Sequence, residues 1–198
     1  MFRTGMALVG VLLTAVCLAQ DGALVFQGRD LGGATFSDCE LTGARVEDCA
    51  LGGLQVVRSR GDDLKLEDCA LRLTLSRTEL DDVRADRLTL SDARLENCTL
   101  RGVQLYRLEG RDLRVERADL RDSRWEYVEA PRSTFNRCDW RSSEFDSADF
   151  EWTRFDYGSF RNARFYRTDL SYVTLENCDI RGLTINGVRI DELLSRGR

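Results

Sequence analysis

Histidine is absent from the 198 residues, proline occurs once, and Lys65 is the only lysine. The lack of histidine removes the commonest general base and every His-containing triad. The seven cysteines form no CxxC and no Cys/His cluster, so neither a zinc site nor any other metal or cofactor site is expected. Basic charge is left to arginine, and 29 basic against 34 acidic residues give a net charge of −5. That mild acidity favours solubility and provides no pull toward nucleic acid. With 42% hydrophobic and 32% charged residues, the chain reads as neither disordered nor a multi-span membrane protein. Its length suits one domain.

The first twenty residues, "MFRTGMALVGVLLTAVCLAQ", differ from the rest. One basic residue precedes an apolar run from Met6 to Val16, with small residues after it, which is the layout of a secretory signal peptide over residues 1–19. Cleavage after Ala19 places Cys17 and Ala19 at the −3 and −1 positions. Two rival readings stand beside it. Cys17 could be acylated as a lipoprotein anchor, although Val16 is bulkier than the residue such a site prefers. An uncleaved anchor is the other, but the apolar run is short for spanning. The expected location is therefore periplasmic or extracellular, with no stable membrane insertion after cleavage.

The rest of the chain carries an unusual beat. Every fifth residue from Phe26 to Leu71 and, after a one-residue deletion, from Leu75 to Ile190 is a candidate core centre. Of these 34 positions, 30 hold a large apolar residue, and Phe150, Phe155, Phe160 and Phe165 follow one another directly. Neither a helix nor a half-buried strand has this period. A second track two residues earlier is mostly small: Ala34, Cys39, Ala44, Cys49, then Ala118, Ser123, Ser133, Cys138 and Ser143. Three bulky exceptions, Val83, Leu108 and Val128, precede centres that shrink to Ala85, Gly110 and Ala130, an exchange of volume that dense packing requires.

Two inward and three outward residues per five can be built as a short extended piece and a tight turn. Four such sides close a coil of twenty residues, and coils stack as parallel strands about 4.8 Å apart. The units "CTLRG", "ADLRD", "ADFEW" and "CDIRG" resemble those of the pentapeptide-repeat family. That resemblance implies a right-handed quadrilateral β-helix, all-β, with about eight coils over residues 20–190 and a short C-terminal cap over residues 191–198. The deletion between Leu71 and Leu75 is expected to tighten one corner. The Gly pairs 32–33 and 52–53 suit turns of positive φ. Leu193 and Leu194 are expected to lie on the final coil, and Gln20 to Leu24 to be all that remains over the first.

Positions twenty apart stack in columns, which turns the sequence into a surface map. Cys39, Cys98, Cys138 and Cys178 share one inward column, while Cys49 and Cys69 sit one level apart in the opposite one. The simplest reading makes them small core residues; a Cys49–Cys69 disulfide is the alternative in an oxidising compartment. Arg101, Arg121, Arg141, Arg161 and Arg181 form an outer column, but Asp119, Asp139 and Asp179 stand two residues earlier. On the opposite side Arg45, Lys65, Arg84 and Arg124 precede Glu47, Glu67, Asp86 and Glu126. These read as alternating ladders on a solvated stack. Arg132, Trp152 and Tyr172 share one edge, with Tyr127 and Tyr157 on other columns. Exposed aromatics beside arginine have the composition of an interface hot spot.

No catalytic residues emerge: buried cysteines are poor nucleophiles, and the carboxylates are spread over ladders. The resemblance raises DNA mimicry toward gyrase as an alternative, yet the leader and the arginine column oppose it. A rigid exported rod that binds a protein partner or itself, with Arg132, Trp152 and Tyr172 as the candidate surface, is the expectation.

Overall fold

The computed structural model describes residues 14–16, 25–27, 33 and 35–196. The expected cleavage site, Cys17 and the lid Gln20 to Leu24 lie outside the described residues. Of the leader, only the strand Thr14–Val16 is described, paired in parallel with Thr35–Ser37.

Strand pairing follows the beat of five. Phe36 pairs with Val56, Val56 with Leu75, Leu75 with Leu95 and Leu95 with Val115. The column continues from Val115 to Phe135, Phe155 and Leu175. Eight levels are thus joined by seven steps. The molecule is a right-handed quadrilateral β-helix of about seven turns, nearly all β, with one short helix at Ile190–Arg196. A representative coil consists of the three-residue strands Thr134–Asn136, Glu144–Asp146, Arg154–Asp156 and Arg164–Tyr166, each burying only its middle residue.

The turn between sides is made at the second residue after each centre. There φ is positive, as at Arg137 (55°), Ser142 (59°), Trp152 (58°) and Asn162 (58°). Gly33 (75°) and Gly53 (112°) obey the same rule, but most corners use other residues, often Asp or Asn, which tolerate the left-handed region best. The small second track lies just inside these corners, where its hydroxyls and thiols satisfy corner carbonyls. Ser143 Oγ donates to Leu120 O at 2.9 Å and Thr153 Oγ1 to Ala130 O at 2.9 Å. The thiols of Cys49 and Cys69 donate to Glu47 O and Glu67 O at 3.1 and 3.0 Å. Volume exchange between tracks is visible at Gly110, where an added Cβ would lie 3.1 Å from Leu108 Cδ2 and from Leu113 Cδ2.

The deletion is taken up at one corner. Leu71 pairs with Leu90 and Leu75 with Leu95, so the chain still passes from one side to the next between them, one residue shorter. It does so within the strand Lys65–Ser76, which has a positive φ at Asp68 and none again until Arg77, so this corner is made without a left-handed residue. The level above adapts, its register slipping between Leu51 and Leu54 where Gly53 supplies the bulge.

The core has two halves. From Phe135 to Phe160 the centres are aromatic, fully buried and in edge or stacked contact, with Phe135 on Phe155 at 5.0 Å and Phe145 on Phe165 at 4.4 Å. Above Trp125 the centres are mostly Leu and Val, and the second track alternates small residues with Leu and Val. The second-track residues Leu88, Leu108 and Leu113 are buried, yet the inward centres Leu66, Leu90, Leu95 and Leu105 are only partly so.

At the other end the parallel stack finishes with Thr184–Ile185. Asn186 (φ 47°) and Gly187 (φ 80°) then turn the chain into the antiparallel strand Val188–Arg189, a two-residue hairpin of the kind Asn-Gly favours. Ile190 N–H bonds Leu183 O at 3.0 Å and its side chain packs on the core. Leu193 and Leu194 do not lie on the final coil: both are 57% exposed. The hairpin seats Ile190 and then sends the helix past the end of the stack, so no helical residue is buried.

Candidate interaction surface

The corner geometry decides what the surface presents. Asp112, Arg132, Trp152 and Tyr172 occupy one corner on successive levels, linked by the backbone bonds Asp112 N–H to Pro131 O, Arg132 N–H to Glu151 O and Trp152 N–H to Ser171 O. Trp152 and Tyr172 stack with centroids 4.2 Å apart and planes 9° from parallel. They remain 58% and 67% exposed. Trp152 Nε1 donates to Glu151 Oε1 at 3.1 Å, which fixes the indole against its own rung. Arg132 lies directly above, but its guanidinium faces Asp112, with Nε 3.5 Å from Oδ1. The expected edge is therefore one column holding two pairs, an aromatic stack and an ion pair.

Sequence reasoning did not anticipate the backbone beneath these rings. Trp152 and Tyr172 have φ of 58° and 55°. A left-handed corner costs a bulky L-residue about 1 kcal/mol, a cost that Gly, Asn or Asp largely avoids. Tyr127 and Tyr157 sit at corners too, at 51% and 57% exposure. Tyr127 meets Tyr106 edge-on at 5.5 Å, and the guanidinium of Arg137 lies 5.9 Å from the Tyr157 ring. Tyr106 and Tyr166 were missed from sequence; each follows a core centre by one residue, an outward strand position that could have identified them.

The charge columns behave as ladders. Arg121 holds Asp119 through Nε at 2.7 Å and Nη2 at 2.6 Å, and Arg101 and Arg121 reach across levels to Asp119 and Asp139 at 3.9 and 3.8 Å. The paired hydrogen bonds of Arg181 hold the Asp179 carboxyl down at about 2. The pairs stand in solvent, so each contributes little to stability. Burial pushes the Cys138 thiol up to about 12 and raises Cys69 and Cys98, which removes thiolate character from them. Among the described residues no cluster could hold a metal ion, and no helix is long and apolar enough to cross a membrane.

Residues 143–182 match the family model for pentapeptide repeats, in eight copies. That stretch is a run of pentapeptide repeats. The matched copies are the aromatic-cored coils that carry Trp152 and Tyr172. No curated protein sequence matches the chain. Among solved structures it is similar to a trypsin-treated variant of QnrB1, a plasmid-mediated fluoroquinolone resistance protein, at 12% identity over 88% of this chain and 97% of that one, with a TM-score of 0.42. HetL, a pentapeptide-repeat protein involved in heterocyst differentiation regulation from the cyanobacterium Nostoc sp. strain PCC 7120, is 18% identical over 83% and 92% of the two chains, with a TM-score of 0.33. A glycoside hydrolase reaches a TM-score of 0.51 at 9% identity, over 83% of this chain and 40% of the enzyme. At such identities the likeness is one of fold alone.

Proposed function

We propose that this pentapeptide-repeat protein is an exported, non-catalytic interaction module that binds a protein partner or a second copy of itself through the Trp152–Tyr172 corner. The observation that carries the reading is the placement of two large exposed rings, stacked on each other, at left-handed corners where Asn, Asp or Gly would cost less. Stacking returns about 0.5–1.5 kcal/mol, and the faces left exposed gain more only when something covers them. The export part of the proposal rests on the leader sequence. The alternative, mimicry of duplex DNA toward gyrase, requires a continuous negative face, and the Arg101 to Arg181 ladder interrupts it.

Trp152→Asn separates contact from structure. Asn suits the corner, so thermal stability should hold or rise slightly while self-association in sedimentation, or retention of a cross-linked partner, falls. Unchanged association at unchanged stability would refute the assignment of this corner. Recovery of the intact leader from the cytoplasm would refute export and leave the surface to be tested separately.

A further inference from the structure

The partly buried leucines of the upper core enclose a cavity of about 150 Å³. Among the described residues it is lined by Leu, Val and Ala side chains, apart from Phe36 at one end and Trp125 at the other. One of its walls is the inward column Val46, Leu66, Ala85, Leu105 and Trp125, five consecutive levels. Four strand spacings make that wall about 19 Å long. The inward leucines 66, 90, 95 and 105 all border it, and their residual exposure is to this interior. Bulky residues on the second track hold the sides apart, while a leucine centre does not reach the axis as a phenylalanine does. Below Trp125 the aromatic rings close the space.

An apolar cavity of this volume is large enough to take up benzene or xenon. Here the volume is drawn out along a solenoid axis, a shape that suits an unbranched chain better than a ring. Among the described lining residues the one polar side-chain group is the Trp125 indole N–H, itself buried without a hydrogen-bond partner, so the cavity has no side chain to compensate a buried charge. We propose that the Leu/Val half of the solenoid is a binding site for a small, uncharged, unbranched hydrocarbon, lying along the axis with one end against Trp125.

The test uses the full chain and n-hexane, followed by the methyl resonances of leucine and valine. Saturable shifts are expected at Leu66, Leu95 and Leu105 and not at Leu170 or Leu175 near the far end. Cyclohexane should bind more weakly. Leu105→Phe places a ring beneath Ala85 and should weaken n-hexane by at least about tenfold; should that variant not fold, Ala85→Leu fills the same space from the level above. Shifts that do not saturate, that are confined to residues 170–190, or that survive both filling substitutions overturn the site. Octanoate binding as tightly as n-hexane overturns the uncharged assignment.

Discussion

Phe155 and Trp152 stand three positions apart and have opposite fates. Phe155 is on the beat, 1% exposed, stacked on Phe135 and in edge contact with Phe150 and Phe160 at 5.7 and 5.2 Å. Its neighbours are held by strands above and below and cannot close over a gap. Phe155→Ala should therefore cost the full range for a core phenylalanine, about 3–5 kcal/mol. Denaturant unfolding checks this, and a loss below about 1 kcal/mol would mean that the ring is not where the register places it. Trp152 is off the beat, at a corner, and outside. The distinction was legible because the five-residue period assigns inside and outside position by position. The strain under Trp152 was not, because period alone does not reveal which of three outward residues carries the turn.

At the scale of the element, the C-terminal hairpin and helix are held by one carboxylate. Asp191 Oδ2 accepts from Gly182 N–H at 2.9 Å and from Arg189 Nη2 at 2.8 Å, while Oδ1 accepts from Arg189 Nε at 3.0 Å. Nothing in the helix is buried, so this tether and Ile190 fix it. Asp191→Ala should bring hydrogen exchange of the amides from Glu192 to Arg196 close to unprotected rates and leave the strands from Thr134 to Asp156 unchanged. The Arg189 guanidinium, followed by the Gly182 amide, holds the Asp191 carboxyl well below the usual carboxylate range. A depressed value stabilises the folded form above the ordinary carboxylate pKa and is lost only as pH falls through the lowered one. Protection of the helix should accordingly persist through pH 4 and disappear in stronger acid; loss already at pH 5 would contradict the tether. The Asn186–Gly187 turn could have been read from the sequence, and reading it would have shown that the apolar beat reaching Ile190 no longer continues a coil. The backbone of the shortened corner near residue 72 could not, since a corner one residue shorter can keep or lose its left-handed residue, and strand pairing above and below decides which.

In the whole molecule, residues twenty apart in sequence are neighbours in space, and each level touches only the levels above and below. Backbone pairing is the same at nearly every level, so differences in local stability must come from the core. The fully buried rings from Phe135 to Phe160 should make the middle and lower coils the most resistant. The upper coils enclose the cavity, and a residual void costs about 24 cal/mol per Å³, which for about 150 Å³ is about 3–4 kcal/mol shared among five levels. The last level is weakest of all, for Leu175 is 39% exposed and its strand Thr174–Glu176 buries nothing. Native-state hydrogen exchange should rank the strands accordingly: Glu144–Asp146 and Arg154–Asp156 slowest, Arg84–Ser91 and Gln104–Arg111 intermediate, Thr174–Glu176 fastest. Low denaturant should erode protection from the last level and the upper coils before it reaches the aromatic block. Equal protection throughout, lost in a single step, would show that the rod unfolds as one cooperative unit and that core composition does not set the order.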